Sequence, residues 1–374
     1  MNKASAQGLI GRYHDRLPLP KQMCIHSLHE GNTPLIRLGN LLKHCAVDID
    51  IYVKFEGLNP TGSFKDRGMV VAVNHAVMEG TKAIICASTG NTSAAAAAYA
   101  ARVGIQACVI IPEGKIALGK LAQAMIYGAK IIQIKGNFDQ GMQLVKEIAQ
   151  STPITLVNSV NPYRLQGQKT AAFEIVDALE CAPDYHALPV GNAGNISAHW
   201  IGYVEYTGRS SSLVDIAYLA HQSTMAVSNN TPAMLGYQAE GSAAFVQGKM
   251  IDAPETVATA IRIGHPQSWQ LAHQAIKESK GWFAAVSDQE ILQAQKWLAA
   301  QEGIFCEPAS AASVAGVIKD AQAGRIKPGS TVVCTLTGNG LKDPDTAIKQ
   351  CQHIHTQSIE PDIKAVKRLL SAML

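Results

Sequence analysis

The chain has 374 residues, of which 47% are hydrophobic and only 16% are charged. This composition supplies enough apolar surface for a large buried core, and it excludes a disordered chain. At roughly 150 residues per domain, the length predicts about two domains. The formal net charge is +3, so overall charge indicates neither a nucleic-acid partner nor a membrane-surface partner.

Targeting segments and disulfides are not indicated by the sequence. The longest apolar stretch, residues 94–101, is alanine-rich and is shorter than the ~18 residues that a membrane-spanning helix needs. The first residues contain no continuous apolar run typical of a signal peptide. The eight cysteines form no C-x-x-C pair, and several lie inside apolar runs where buried, reduced thiols are expected. We therefore expect a cytoplasmic protein.

Short runs rich in β-branched residues alternate with helical patterns along most of the chain. The predicted strands are residues 49–55, 83–86, 107–111, 131–134, 154–157, 188–190 and 331–336. The predicted helices lie near residues 69–78, 93–103, 120–127, 140–150 and 168–179, and Gly104 and Gly128 stand where helices end in a left-handed residue. This alternation predicts an α/β fold with parallel sheets covered on both faces, in which ligands bind at the carboxyl ends of strands.

A lysine follows the first of these strands at the start of a predicted helix. Residues 59–62 favour a turn, and Ser63 can cap the helix that starts near Phe64. Lys65 would then lie at the positive end of the helix dipole, where a cation is disfavoured and the lysine pKa falls. A neutral amine is what a Schiff-base lysine needs. A solvated lysine at a helix start remains the alternative.

Two further strand ends carry residues that suit anionic ligands. Residues 88–93 are small or polar and precede a helix, so their N–H groups and hydroxyls could bind a carboxylate. Residues 191–195 suit a small phosphate monoester held by backbone amides. They lack the Gly-Lys-Ser/Thr of a loop that binds a nucleoside triphosphate. An ordinary helix cap and a plain turn are the alternatives for these two loops.

The last strand leads into Thr337 and Gly338-x-Gly340, without the βαβ unit that a dinucleotide site requires. The sequence contains no G-x-S-x-G, no H-E-x-x-H and no histidine spacing typical of metal ligands. A lysine, a carboxylate site and a phosphate site at strand ends together indicate pyridoxal phosphate with an amino-acid substrate.

At the level of motifs, the sequence resembles the threonine synthases, within the fold-type II (tryptophan-synthase-β-like) group of pyridoxal-phosphate enzymes. Lys65 stands in SFKDRG and the phosphate loop reads GNAGN, whereas amino-acid dehydratases of this fold usually have a different lysine context and a glycine-run phosphate loop. The matching stretches span nearly the whole chain: GNTPLIRL (31–38), KFEGLNPTGSFKDRG (54–68), ASTGNTSAA (87–95), GKLAQAMIYGAKI (119–131), NSVNPYRLQGQKTAAFEIVDAL (158–179), LPVGNAGN (188–195), TAIRIGHPQSW (259–269), GIFCEPASAASVAG (303–316) and TLTGNGLKDP (335–344).

The resemblance implies a particular form of the α/β fold. It predicts two three-layer αβα domains with mostly parallel sheets and an active site in the cleft between them. Residues 1–60 and 159–374 would form the large domain that binds the cofactor, and residues 61–158 the small, mobile domain. The family is typically dimeric, so a homodimer is expected.

The resemblance also implies roles for individual residues. Lys65 is implied as the catalytic lysine that forms the Schiff base with pyridoxal 5′-phosphate. The other implied cofactor-binding residues are Asn91 at the 3′-oxygen, Gly191, Asn192, Ala193, Gly194 and Asn195 at the phosphate, and Thr337 facing the pyridine nitrogen. The implied substrate-binding residues are Ser88, Thr89 and Thr92 for the carboxylate, and Asn158, Ser159 and Arg164 for the phosphate.

Two of these assignments have consequences or alternatives. A hydroxyl such as that of Thr337, unlike a carboxylate, would not hold the pyridine nitrogen as a full pyridinium, and this weakens the electron sink. Arg164 offers a planar donor fork suited to phosphate; the alternative is a surface arginine paired with a helix carboxylate such as Glu174.

The implied activity is conversion of O-phospho-L-homoserine and water to L-threonine and phosphate by elimination and hydration. One alternative is a threonine/serine dehydratase or another lyase of the same fold, which would share Lys65 and Asn91 but have no use for a phosphate pocket at Arg164. A second is a non-catalytic amino-acid-binding protein, which retention of Lys65, Asn91 and Thr337 disfavours. Residues 208–232 match nothing in the family, and residues 231–244 match only in part.

Overall fold

The computed structural model describes residues 8–113, 118–209, 213, 225–351, 358–359 and 361–373. Packing divides the chain into two compact units, Met1–Lys342 and Asp343–Leu374. All the described strands and all the predicted site residues belong to the first unit. Most of the segment that the sequence left unassigned, residues 210–212 and 214–224, lies outside the described residues.

The elements of the first unit alternate between strands and helices. In chain order they are α1 (Gly8–Arg12), β1 (Leu35–Arg37), α2 (Asn40–Cys45), β2 (Asp50–Phe55), α3 (Lys65–Met78), β3 (Ala83–Ala87), α4 (Asn91–Val103), β4 (Gln106–Pro112), α5 (Leu118–Ile126), β5 (Lys130–Ile134), α6 (Phe138–Ser151), β6 (Ile154–Leu156), α7 (Pro162–Leu179), β7 (Tyr185–Pro189), α8 (Gly194–Tyr206), β8 (Ala233–Ala239), α9 (Ala244–Gln247), α10 (Trp269–Ser279), β9 (Trp282–Val286), α11 (Asp288–Glu302), α12 (Pro308–Gln322) and β10 (Thr331–Leu336). Short 3₁₀ helices span His14–Arg16, Glu56–Leu58, Glu240–Ser242, Thr259–Ile261 and Gly340–Lys342. The second unit contains α13 (Pro344–Gln350) and α14 (Ile363–Met373).

The described strands form two separate sheets. The larger has six strands in the order β1-β2-β10-β7-β8-β9, and only β1 is antiparallel to its neighbour. The smaller has four parallel strands in the order β5-β4-β3-β6. The prediction of an α/β fold with mostly parallel sheets is therefore confirmed. The smaller sheet lies inside the range 61–158 that was predicted for the small domain, and the domain boundaries themselves stay a prediction.

All seven strands predicted from the sequence are present, and three others were missed. β1 has only three residues and lies at a sheet edge. β8 contains Gly236, a residue that weakens strands in general. Here the glycine is needed, because a Cβ at Gly236 would lie 2.4 Å from the Phe283 ring on the adjacent strand. The helix ends at Gly104 and Gly128 are left-handed as predicted, with φ angles of +76° and +83°.

Buried apolar residues cover both faces of the larger sheet. One cluster includes Val70, Tyr99 and Trp200, and a second includes Val53 and Leu298. The described cysteines are all free, and four of them are buried. Within the described ranges, no helix combines the length and the apolar composition that crossing a bilayer requires.

Helices α3 and α7 approach each other unusually closely, and two glycines make this possible. A Cβ at Gly68 would lie 2.7 Å from the Arg164 carbonyl oxygen, and a Cβ at Gly167 would lie 1.8 Å from the Arg67 carbonyl oxygen. These neighbours are backbone atoms that cannot rotate away. The contact places the first turn of α3, which carries Lys65, beside the first turns of α7.

We predict that Gly167→Ala destabilises the protein, because the added methyl group forces the α3 and α7 backbones apart. We expect a loss of about 1–3 kcal/mol in the free energy of unfolding, as is typical of overpacking. Gly141→Ala in helix α6 is the matched control, since its Cβ would meet only ordinary contacts at 3.5 Å or more. The control should stabilise the protein by roughly 0.5–1 kcal/mol. Urea unfolding measures both, and equal effects of the two substitutions would contradict the close-contact argument.

Candidate active site

Lys65 is the first residue of α3, and its pKa is strongly lowered. Burial and the positive charge of Arg164 lower the pKa of the Lys65 ammonium to about 7, against an opposing effect of Glu307. Burial, rather than the position at the helix start, is thus the main cause of the shift that the sequence predicted. The hydroxyl of Ser63 accepts only a long hydrogen bond of 3.4 Å from the Lys65 backbone N–H. A neutral amine is therefore available at neutral pH.

The chain around Lys65 is held from both sides. The Phe64 N–H donates to the Thr337 carbonyl at 2.9 Å, which joins the start of α3 to the end of β10. On the other side, Asp66 accepts hydrogen bonds from the backbone N–H of Thr61 at 2.7 Å and from its hydroxyl at 2.5 Å. Lys65 is thereby fixed relative to the end of the central strand β10.

A buried ionic network anchors Arg67, two residues after Lys65 on α3. The Arg67 guanidinium donates to Glu56 at 2.6 and 2.8 Å and to Glu174 on α7 at 2.8 and 2.6 Å. The Lys54 ammonium donates to the same Glu174 at 2.7 Å. Burial alone would raise the pKa of Glu174, but Arg67 and Lys54 lower it well below its usual range. Two cations and two anions balance, so this network serves as a neutral anchor.

Asn91 and Thr337 meet at a carboxylate that the sequence analysis did not single out. The Asn91 amide, at the start of α4, donates to the two Glu307 oxygens at 3.1 and 3.3 Å. The Thr337 hydroxyl donates to the same carboxylate at 3.1 Å. Glu307 is 4% exposed, and burial raises its pKa against the hydrogen bonds from Asn91 and Thr337. The only sequence signal for Glu307 was its place in the matching stretch GIFCEPASAASVAG.

The loop at residues 191–195 forms the N-terminal end of α8. Ala193 adopts a left-handed conformation, with φ +67°, and lets the backbone turn into the helix. Both polar atoms of the Asn195 side chain are buried without a hydrogen-bond partner in the described part of the chain. A Cβ at Gly194 would meet nothing closer than 3.5 Å. An unpartnered amide beside a helix N-terminus fits a phosphate group.

This loop is tied to the segment before α10 rather than to the other predicted site residues. The Asn192 carbonyl accepts from the Ser268 N–H at 3.1 Å, and the Asn192 side chain accepts from the Gln267 N–H at 3.3 Å.

The loop at residues 88–93 leads directly into α4. There the Ser88 hydroxyl accepts from the Gly90 N–H at 3.2 Å, while Thr89 and Thr92 are partly exposed.

Arg164 is a buried cation without an acidic partner among the described residues. It is 1% exposed, and among the described residues its side chain makes one hydrogen bond, from Nη1 to the Val157 carbonyl at 3.1 Å. Its Nε and Nη2 have no partner in the described part of the chain. Burial lowers its pKa to about 10. The alternative of a surface arginine paired with Glu174 is wrong, because Glu174 binds Lys54 and Arg67.

Asn158 and Ser159 lie near Arg164 but differ from it in what they offer. The Asn158 amide exchanges two hydrogen bonds of 2.9 Å with the backbone of Ala87, at the end of β3. Its side chain is therefore largely engaged in holding β3 to the end of β6. Ser159 is partly exposed. Of the three predicted phosphate ligands, Arg164 alone has a charge and unpartnered donors.

The fold and its family agree with this arrangement. The model of the pyridoxal-phosphate dependent enzyme family matches residues 26–338. Among solved structures, maize serine racemase is similar with a TM-score of 0.70 and 19% identity, over 94% of this chain and 95% of that one. Threonine deaminase isoform 2 from Solanum lycopersicum has a TM-score of 0.68 and 18% identity, over 87% of this chain and 89% of that one. The fold is that of the fold-type II pyridoxal-phosphate enzymes.

Curated relatives narrow the family further. A threonine synthase from Synechocystis sp. is 53% identical over 97% of this chain and 91% of its own length. Threonine synthases from Halalkalibacterium halodurans and Methanocaldococcus jannaschii are 56% and 48% identical, over 91% and 97% of this chain and 91% and 87% of their own lengths. The chain belongs to the pyridoxal-phosphate-dependent enzymes and, among them, to the threonine synthase family. The predicted resemblance is confirmed, and pyridoxal phosphate is the cofactor of this lyase family.

The residues present fit this cofactor. Lys65 supplies a buried amine with a pKa of about 7, which suits covalent capture of an aldehyde. The unpartnered Asn195 amide and the helix start at Gly194 suit its phosphate. Asn91 and Thr337 supply polar groups whose positions are fixed by Glu307.

We predict that the rate at which Lys65 captures pyridoxal phosphate rises with pH and reaches half its plateau near pH 7. Only the neutral amine reacts, and its fraction grows as the pH rises through the lowered pKa of about 7. Arg164→Met should move the half-point upward, because it removes a charge that disfavours the ammonium. Absorbance after cofactor is added to the stripped protein measures the rate. Arg37→Met, at a side chain that is 60% exposed, is the control; a native half-point near 10 would contradict the assignment.

Proposed function

We propose that this chain converts O-phospho-L-homoserine and water to L-threonine and phosphate. The C–O bond to the γ-phosphate breaks by β,γ-elimination, and the elements of water then add across Cβ and Cγ. The observation that carries this proposal is Arg164. It is a buried guanidinium whose Nε and Nη2 donors have no partner among the described residues, and it lies close enough to Lys65 to lower the lysine pKa. A buried, unpaired cation beside the reactive lysine calls for an anionic substrate group.

In this proposal the lysine holds the cofactor and then moves protons. When bound, pyridoxal phosphate would supply an electron sink to the substrate through the substrate's amino nitrogen, which acidifies the C–H bonds at Cα and then at Cβ. Once the substrate amine has displaced it, Lys65 is a free amine, and the burial that lowers its pKa suits both removal and return of the Cα proton. Asn91 binds the cofactor 3′-oxygen, Thr337 faces the ring nitrogen, and residues 191–195 bind the cofactor phosphate.

The substrate would be held at both of its anionic ends. The hydroxyls of Ser88, Thr89 and Thr92, at the start of α4, bind the carboxylate together with backbone N–H groups of the helix. Arg164 binds the γ-phosphate through a bidentate fork, with Ser159 beside it. Because its amide is engaged with Ala87, Asn158 supports the pocket by fixing the loop. A threonine/serine dehydratase would need the first of these sites and not the second.

We also propose the following organisation of the protein. Residues 61–158 form a small mobile domain and residues 1–60 with 159–374 a large one, which the separate four-stranded sheet supports. The protein is a cytoplasmic homodimer that acts on a small molecule, without nucleic-acid or membrane partners. The small net charge of +3 supports the absence of nucleic-acid and membrane partners, and the free cysteines support the cytoplasmic location.

We predict that Lys65→Ala abolishes threonine formation while leaving the protein folded. The substitution removes the only amine proposed to hold the cofactor and move the Cα proton, and it removes no packing from the two apolar clusters. Phosphate release from phosphohomoserine and the thermal unfolding midpoint are measured on one preparation. Turnover near the native rate would show that the catalytic assignment is wrong.

We predict that Arg164→Ala lowers kcat/KM for phosphohomoserine by at least about tenfold, since one charge-assisted hydrogen bond exceeds the ~1.4 kcal/mol of a decade. The cofactor's absorbance band should stay nearly unchanged. Arg37→Ala, which removes an exposed guanidinium, serves as control. If the cofactor is lost and the substrate constants per bound cofactor remain steady, Arg164 is a structural residue and the phosphate site lies elsewhere.

A further inference from the structure

The first turn of α8 presents backbone N–H groups at the loop proposed for the cofactor phosphate. In an α-helix the first N–H groups have no acceptor within the helix. Because α8 begins at Gly194, the N–H groups of Gly194, Asn195 and Ile196 are among them. Each N–H shares a planar peptide unit with the carbonyl of the preceding residue, and the two groups point in opposite directions. A donor bound to that carbonyl therefore acts on the N–H at the other end of the unit.

Two buried side chains of α8 contact these carbonyls. The Ser197 hydroxyl donates to the Ala193 carbonyl at 3.0 Å, next to the Ser197 N–H at 3.3 Å. Two residues further along, Nδ1 of His199 lies 2.8 Å from the Asn195 carbonyl oxygen. Both side chains are at most 1% exposed. The two contacts have the same spacing, four residues back along the helix, and they fall on alternate peptide units of its first turn.

The contact of His199 defines which form of its ring is present. A carbonyl oxygen carries no proton, so Nδ1 of His199 is the donor. Burial lowers the pKa of His199 to about 4, so the ring is neutral at neutral pH and its one proton lies on Nδ1. The other nitrogen, Nε2, is buried without a partner in the described part of the chain, which costs stability. The polar contact that His199 makes is thus the one with the Asn195 carbonyl.

A second buried histidine fixes the orientation of this ring. The His186 ring packs edge-on against the His199 ring, with centroids 4.8 Å apart and an interplanar angle of 82°. Both nitrogens of His186 are engaged, one with the Thr335 hydroxyl on β10 and one with the Tyr203 hydroxyl on α8, each at 2.8 Å. Packing that reaches the central strand therefore aims Nδ1 of His199 at its carbonyl.

We propose that Ser197 and His199 are positioning residues that make two N–H groups of the cofactor-phosphate site stronger donors. Hydrogen bonds in a chain polarise one another, so a donor at the carbonyl of a peptide unit strengthens its N–H toward a phosphate. Ser197 acts in this way on the Gly194 N–H. His199 acts in the same way on the Ile196 N–H. The inference rests on the proposed placement of the cofactor phosphate at residues 191–195.

The test reads the two amides separately, in protein labelled with ¹⁵N-glycine and ¹⁵N-isoleucine. When pyridoxal phosphate is added to the stripped native protein, we expect the amide proton signals of Gly194 and Ile196 to move downfield. Ser197→Ala should reduce the shift at Gly194 alone, by roughly 10–30%. His199→Leu should reduce the shift at Ile196 alone, by a similar fraction. Thr207→Val removes a hydroxyl-to-carbonyl hydrogen bond of 2.8 Å at the other end of α8, and this matched control should change neither signal.

A conservative variant checks that the donor, and not the shape of the ring, is what matters. His199→Asn should keep the Ile196 shift, because an asparagine amide can make the same contact. In α3, Asn74 donates to the Val70 carbonyl, four residues back, at 2.8 Å. Ser197→Ala removes one buried oxygen and covers the case in which His199→Leu does not fold. Unreduced shifts in both variants, or equal reductions at the two amides, would overturn the proposal. Native amides that do not respond to the cofactor would overturn it together with the proposed phosphate placement.

A second measurement separates the phosphate from the rest of the cofactor. We expect the combined variant Ser197→Ala, His199→Leu to raise the Kd for pyridoxal phosphate at least about threefold. The Kd for pyridoxal, which lacks the phosphate, should stay within about twofold of the native value. Equal losses for the two compounds would show that the side chains only support the fold, and would overturn the proposal. A native protein that releases no phosphate from phosphohomoserine, yet shows these differences, would refute the proposed function and support this inference.

Discussion

The close contact between α3 and α7 is the constraint on which the rest of the site depends. Gly68 and Gly167 let the two backbones touch where any Cβ would collide with a carbonyl oxygen, and Arg67 then bridges to Glu174 across the contact. Each helix begins at the site, one with Lys65 and the other with the turn that carries Arg164. Because both helices are held at a fixed offset, the lysine and the arginine are placed beside each other without any direct bond between them.

The ions of this region fall into two kinds with different consequences. Arg67 and Lys54 are paired with Glu56 and Glu174, so this buried network carries no net charge. Removing one member would leave an uncompensated charge inside the protein. Arg164 is equally buried, but no carboxylate in the described part of the chain pairs with it. A protein tolerates such an imbalance where a ligand supplies the missing charge. The neutral network holds the two helices together at the point where Arg164 lies, and the charge of Arg164 lowers the pKa of Lys65.

Much of this arrangement could be predicted from sequence, and the failures have physical reasons. The long β-branched runs gave β2–β7 and β10, but β8 was hidden by Gly236, which a neighbouring ring requires. The lowered pKa of Lys65 was predicted for the wrong cause, since burial depends on tertiary packing that no local pattern contains. Glu307 could not be predicted as a site residue, because a single acidic residue before a proline forms no recognisable sequence motif. It became significant only when Asn91 and Thr337 converged on it.

The paired hydrogen bonds between Asn158 and Ala87 have a further consequence. Ala87 ends the strand just before the proposed carboxylate loop, and Asn158 begins the arm that leads to Arg164. One amide therefore limits how far apart the two proposed anion-binding positions can lie. An amino acid with a shorter side chain to its phosphate would engage one end and miss the other. Selection of substrate by length would thus come from a side chain that need not contact the substrate.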